Sequence, residues 1–151
     1  MIKEGSKAPD FTLPDSEGRM VSLSEYAGRQ VLLVFYPGDD TPVCTTQLCS
    51  YRDNYSEFLK RDITVLGISV DSEDSHKRFG EKNELPFILL SDSGKTVCRL
   101  YDAIDFLGMT KRAYVFIDGS GTVRLAFNEL LPVFYQSTRE LLAKIDAMKQ
   151  E

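Results

Sequence analysis

Two runs of β-prone residues bracket one amphipathic segment, and this arrangement constrains the fold more than any other feature of the chain. Val31, Leu32, Leu33, Val34, Phe35 and Tyr36 follow one another without a polar break. That is the pattern of a strand buried on both faces, not of one alternating between core and solvent. Residues 63–70 form a second such run, interrupted by Gly67, where a missing side chain lets another backbone come close. Between the runs, Leu48, Tyr51, Tyr55, Phe58 and Leu59 recur at helical spacing, which predicts a helix with one buried face. Strand, helix and strand over this length make a βαβ crossover, with parallel strands joined in the right-handed sense.

The rest of the chain extends that unit. Residues 8–15 carry Pro9 and Pro14 and lead into Ser16, Glu17, Gly18 and Arg19, so an extended arm and a turn precede a short strand at residues 20–23. A polar helix is expected at residues 73–83, a strand at 87–90 and a helix at 95–101. Apolar runs at residues 113–117 and 123–127 flank Asp118, Gly119, Ser120 and Gly121, a strong hairpin signal. Leu141, Leu142, Ile145 and Met148 line one face of a closing helix at residues 137–148. A βαβ unit followed by a ββα unit predicts an α/β thioredoxin-like fold: a central mixed sheet, helices on both faces and an N-terminal extension. With 151 residues, the expectation is one domain spanning residues 1–151, large enough to bury about 68–70% of its unfolded surface.

Charge and cysteine usage narrow the function. A net charge of −5 argues against nucleic acid or an anionic membrane as partner, since both need a concentrated positive field. The longest apolar run, residues 31–36, is far short of the roughly 20 residues that span a bilayer. The first residues lack the apolar run of a secretory signal, so the expected location is cytoplasmic. Three cysteines in such a chain do not read as a disulfide framework; metal binding or redox chemistry is the choice. Cys44, Cys49, Cys98 and His76 would supply a zinc-type ligand set, but they are scattered over separate elements, and no metal or cofactor is expected. His76 lies in a polar stretch and is expected at the surface, so no Cys–His dyad is implied. Cys98 falls on an apolar helix face, as a packed thiol would. Asp71, Glu73 and Asp74 read as a strand end and a helix start, not as an acid/base pair. Gly119 and Gly121 lack the following lysine and helix of a phosphate loop.

Cys44 stands apart from the other two. It follows the first buried strand through Pro37, Gly38, Asp39, Asp40, Thr41, Pro42 and Val43. Thr41 suits a helix N-cap and Pro42 the first helical position, which puts Cys44 in the first turn. There the amides of Val43 and Cys44 have no intrahelical acceptor, and the positive end of the helix favours a thiolate. The same amides, with the Thr41 hydroxyl, can hold the oxygens of a small polar substrate.

The spacing Pro37-x3-Thr41-x2-Cys44 resembles the active-site loop of peroxiredoxins, and Cys49, five residues on, is similar to their Q-type or bacterioferritin-comigratory subgroup. Agreement extends from Gly5, Ala8, Pro9, Asp10 and Phe11, through Ser69, Val70 and Asp71, to residues 108–113 and 116–118. The resemblance implies that Pro37 shields the site, Thr41 hydrogen-bonds the peroxide, Cys44 attacks it and Arg112 stabilises thiolate and transition state. Cys49 would then resolve the sulfenic acid by forming a disulfide with Cys44. Hydrogen peroxide and organic hydroperoxides are the implied substrates, thioredoxin or a similar dithiol the reductant, and a monomer or weak homodimer the assembly. There are two departures from the pattern: Val43 stands where glycine is common, and the acidic pair Asp39 and Asp40 stands where neutral or basic residues are common and would oppose thiolate formation modestly. A thioredoxin-like disulfide reductase or binding module is the competing reading. It wants Cys-x-x-Cys and a proline before the later strand, where this chain has Cys-x4-Cys and the pair Lys111, Arg112. Five residues along a helix leave Cys44 and Cys49 about 140° apart around the axis and about 7.5 Å apart along it. A disulfide needs Cα atoms within about 4.4–6.8 Å, so either the first turns unwind when the bond closes or the segment around Cys49 is irregular from the start. Unwinding is the expectation, since Thr41 and Pro42 make a good helix start and Leu48, Tyr51 and Tyr55 continue the apolar face.

Overall fold

Five strands make the central sheet in the computed structural model, which describes residues 1–131 and 133–150. They are β3 (Gln30–Phe35), β4 (Ile63–Ser69), β5 (Ile88–Ser91), β6 (Ala113–Ile117) and β7 (Val123–Asn128), in the spatial order β5-β4-β3-β6-β7. β3 pairs with β4, and β4 with β5, in parallel; β6 runs antiparallel to both β3 and β7. A separate hairpin, β1 (Thr12–Pro14) with β2 (Met20–Ser22), forms the N-terminal extension. This is the mixed-sheet thioredoxin-like plan expected from the residues.

β3 shows why an unbroken apolar run belongs at the centre. Val31, Leu33 and Phe35 enter one core cluster with Phe11, Cys98 and Tyr101. Leu32, Val34 and Tyr36 enter the other with Cys44, Leu48, Phe58 and Leu141. Successive side chains point to opposite faces, so both faces of this strand must be apolar. The helices α1 (Pro42–Asp53), α2 (Tyr55–Lys60) and α5 (Thr138–Lys149) contribute to the second cluster, and α4 (Thr96–Leu100) contributes to the first. Ser72 caps α3 (Glu73–Lys82) by accepting from the Ser75 amide, and Ser137 with Glu140 forms a capping box on α5.

Several local expectations shift. The segment after Cys49 is two helices, because the chain breaks at Asn54 (φ −121°, ψ 24°), whose side-chain amide donates to the Ser50 carbonyl. Leu59 consequently faces outward, 57% exposed. Residues 12–14 form a strand in place of a lone arm, since the Asp15 carboxylate closes the turn by accepting from the amides of Glu17 and Arg19. The space beside Gly67 is filled by a side chain and not by another backbone: a Cβ there would lie 2.7 Å from Leu89 Cδ2. Lys95 takes a left-handed conformation (φ 60°), so α4 starts one residue later than expected, and the buried Asp92 caps it by accepting from the amides of Val97 and Cys98. No helix among the described residues is long and apolar enough to cross a membrane.

Candidate active site

The site lies where β3 hands over to α1. After Tyr36 the chain turns through Pro37 to Asp40, and Asp40 sits in the left-handed region (φ 59°), which aspartate tolerates better than most residues. Thr41 then adopts the extended N-cap conformation and Pro42 opens the helix. The first helical hydrogen bond runs from the Thr45 amide to the Thr41 carbonyl at 2.9 Å. The amides of Val43 and Cys44 therefore precede the ladder, as expected. The Thr41 hydroxyl does not cap the helix; it donates back to the Gly38 carbonyl at 3.0 Å, leaving its oxygen lone pairs as an acceptor.

Arg112 is delivered by the sheet. The antiparallel register pairs Phe35 with Ala113, so the residue before β6 stands level with the end of β3, where α1 begins. Its Nη1 donates to Cys44 Sγ at 3.1 Å and to Gln47 Oε1 at 2.5 Å. Cys44 is fully buried and Arg112 is 4% exposed. In such a setting a contact between a cation and sulfur is screened far less than in water.

Gln47 was not singled out in the sequence. It lies three residues after Cys44, on the buried face shared with Leu48 and Tyr51, and that spacing was the available signal. Its Nε2 donates to the Tyr51 hydroxyl at 2.9 Å and lies 3.4 Å from the Tyr114 hydroxyl. Tyr51 donates to the Gln136 carbonyl at 2.7 Å, and Tyr114 accepts from the Gln136 amide at 2.7 Å. Burial pushes both phenols above their ordinary range, so they stay protonated. A chain of hydrogen bonds thus fixes the amide that orients the guanidinium.

Pro37 lines a cleft of about 330 Å³ together with Met109, Lys111, Arg112, Asn128 and Leu130. Cys49 is half-buried inside α1, its Sγ 3.7 Å from Asn83 Oδ1. All three thiols are free, and α1 runs unbroken through both Cys44 and Cys49, so the helical separation holds in this form.

Cys98 packs on the opposite face of the sheet, in the cluster that does not contain Cys44, and its Sγ lies 3.9 Å from Thr110 Oγ1. Burial, then the neighbouring Asp92 carboxylate, pushes its thiol up to about 12. The neutral thiol is a poor nucleophile, as its packed role requires. Cys98→Ser should leave peroxide turnover within about twofold of the parent and cost about 1 kcal/mol of stability. Steady-state assay and thermal melting check this, and a large loss of turnover would make Cys98 the resolving thiol.

The expected exposure of His76 is incorrect: it is fully buried. Polar neighbours hid one member of an i, i+3 pair, since His76 and Phe79 are the buried residues of α3. His76 reaches Asp39 at 2.7 Å, not a cysteine. That contact also alters the reading of the acidic pair. The Asp39 carboxylate is 1% exposed and bound by Tyr36, Ser75 and His76, while Asp40 is exposed and lies 4.0 Å from Lys82. Asp71 follows β4 and accepts from the Asp39 amide at 2.9 Å, and Glu73 and Asp74 open α3.

The AhpC/TSA family model matches residues 5–126. The chain is 46% identical over 129 residues to the chloroplastic peroxiredoxin Q of Sedum lineare, covering 84% of this chain and 69% of that protein. It is 45% identical over 130 residues to the chloroplastic peroxiredoxin Q of Oryza sativa subsp. japonica, covering 84% of this chain and 59% of that one. Against a putative peroxiredoxin of Coxiella burnetii it is 52% identical over 100 residues, 66% of each. The chain thus spans about six-tenths to seven-tenths of the length of these curated relatives. Among solved structures, a mutant of Xylella fastidiosa PrxQ matches with a TM-score of 0.89 at 26% identity, covering 99% of this chain and 98% of that one. Peroxidoxin BcpB of Mycobacterium tuberculosis matches with a TM-score of 0.85 at 30% identity, covering 99% and 97%. The family model takes in both the cysteine loop and Arg112 at the entry to β6, and the fold is shared over 99% of the chain: this chain belongs to the AhpC/TSA family and is a peroxiredoxin of the Q, or bacterioferritin-comigratory, kind.

Proposed function

We propose that the chain is a thiol peroxidase that reduces hydrogen peroxide and organic hydroperoxides, with Cys44 as the attacking thiolate and Cys49 as the resolving thiol. The observation that supports it most is the Arg112 guanidinium 3.1 Å from a buried Cys44 sulfur in the first turn of α1. The Cys44 thiolate attacks one peroxide oxygen and the O–O bond breaks. The departing oxygen takes a proton and leaves as water or an alcohol, and the sulfur keeps the other oxygen as a sulfenic acid. Negative charge grows on the departing oxygen, where Arg112 and the amides of Val43 and Cys44 are fixed donors; the Thr41 hydroxyl oxygen accepts from the peroxide. Pro37, at the rim of the cleft, limits the approach of water. Cys49 then attacks the Cys44 sulfur, water leaves and a disulfide forms. A thioredoxin-like dithiol reduces it by exchange. Both thiols belong to one chain, so a monomer, or each half of a weak homodimer, carries the full set. The cycle needs a compartment that keeps thiols reduced, as the cytoplasm does.

Closing the bond requires the start of α1 to open, and its residues suit this. Val43, Thr45 and Thr46 are β-branched and poor helix formers. The Thr45 and Thr46 hydroxyls donate to the carbonyls of Thr41 and Pro42 at 2.8 and 3.0 Å, competing with the backbone ladder. After one equivalent of peroxide, mass spectrometry should find Cys44 linked to Cys49. Hydrogen exchange should show residues 45–52 protected in the reduced protein and much less so in the oxidised one. Equal protection in both states, with that bond confirmed, would refute the unwinding. Absence of the bond would refute the role of Cys49.

A further inference from the structure

We infer that Asp39 and His76 are positioning residues for the peroxidase reaction: their buried pair anchors the active-site loop and marks the boundary at which redox unwinding stops. This rests on the reading of Cys44 and Cys49 given above. Asp39 gathers bonds from the ends of β3 and β4 and from α3. Its Oδ1 accepts from the Tyr36 hydroxyl at 2.7 Å, and its Oδ2 accepts from Ser75 Oγ at 2.8 Å and faces His76 Nδ1 at 2.7 Å. Its amide donates at 2.9 Å to Asp71 Oδ2, which also accepts from Ser69 Oγ at 2.6 Å. On the far side of the ring, His76 Nε2 lies 3.0 Å from the Leu90 carbonyl. Since that carbonyl can only accept, Nε2 carries a hydrogen, and one further proton lies between Nδ1 and the carboxylate.

Asp39, Asp71 and His76 bring three ligand-type atoms within 4.8 Å of one another. Each of these groups is already engaged in the hydrogen bonds just named, so the cluster reads as a lock and not as a cation site. The anchors belong to the ends of β3 and β4, to α3 and to β5; none belongs to α1. Two residues downstream of Asp39, Thr41 begins the segment that carries Cys44. Between them stands Asp40, exposed and left-handed. The loop is therefore held at the buried Asp39, while the joint to α1 has only the Thr41 hydroxyl on the Gly38 carbonyl at 3.0 Å and the exposed Asp40–Lys82 pair at 4.0 Å. While α1 is folded, the lock places Thr41 and Cys44 for attack. When α1 opens, the lock keeps the loop up to Asp39 from following, so the site can re-form once the disulfide is reduced.

His76→Leu removes both ring nitrogens and leaves Asp39 buried against an apolar group. Oxidation of Cys44 by peroxide in a single turnover should slow about tenfold or more, since small misplacement of a nucleophile is costly. Closure of the Cys44–Cys49 bond should not slow, because that step occurs beyond the anchor, and a merely structural defect would not split the two rates in this way. Asp39→Asn keeps an acceptor for Tyr36 and can donate to a neutral imidazole, so its oxidation rate should stay within about threefold of the parent. An oxidation rate unchanged in folded His76→Leu would overturn the proposal. Should that variant not fold, single-amide exchange in the unaltered protein decides. The Asp39 amide should stay protected in both redox states while the Thr45 amide loses protection on oxidation. Equal loss at both amides, with the disulfide formed, overturns the anchor alone; failure to form the disulfide overturns the reading it rests on.

Discussion

Cys44→Ser should bring peroxide consumption down to the uncatalysed background. A serine hydroxyl is not ionised at neutral pH, and the side chain that hydrogen-bonds the reacting atom is the guanidinium of Arg112, which cannot act as a base. His76, the single histidine, is bound to Asp39 and Leu90, so no imidazole is free to activate the hydroxyl. The parent rate depends on a thiolate present before the peroxide arrives. Cys49→Ser should behave differently: one rapid turnover, a sulfenic acid at Cys44 trapped by a dimedone-type reagent, and then a stall. Rapid multiple turnover by Cys44→Ser would remove this residue from the chemistry. Sustained turnover by Cys49→Ser with the dithiol reductant would remove Cys49 from the cycle.

Arg112→Lys should lower the rate of Cys44 oxidation by about 100-fold although the charge is kept, the scale expected for loss of one fixed donor to a developing oxyanion. Nη1 of the guanidinium reaches Cys44 Sγ and Gln47 Oε1 together, and the planar group holds its donors in one fixed fork. A lysine ammonium at the start of β6 is shorter, mobile and strongly hydrated. It cannot hold sulfur, Gln47 and peroxide in one arrangement. The loss belongs to the oxidation step, so reduction of the preformed disulfide by a dithiol should proceed at the parent rate. Stopped-flow oxidation of the reduced protein, followed beside reduction of the oxidised protein, separates the two. Unchanged oxidation kinetics would remove Arg112 from the site.

Much of this was legible in the amino-acid order, for reasons that are local. A strand buried on both faces shows an apolar run in place of alternation, as Val31 to Tyr36 does. Thr41 and Pro42 place a helix start two residues before Cys44 whatever the rest of the chain does. Cys44, Cys49 and Arg112 stood out by residue type and by their resemblance to one family, which the family model and the curated relatives bear out. Tertiary structure decided the partners. Arg112 is 68 positions from Cys44, and the β3–β6 register is what brings the two together. Gln47 looked like an ordinary polar residue until the sheet placed a guanidinium beside it. His76 was expected at the surface and Asp39 as an acid opposing the thiolate, yet α3 packs so that their contact is buried. Capping, strand burial and helix spacing act within a few residues and are written in the order of the chain. Burial of a polar group depends on which distant element covers it, and hydrophobic patterning discounts such a group because its favourable environment exists only after the sheet and helices have assembled.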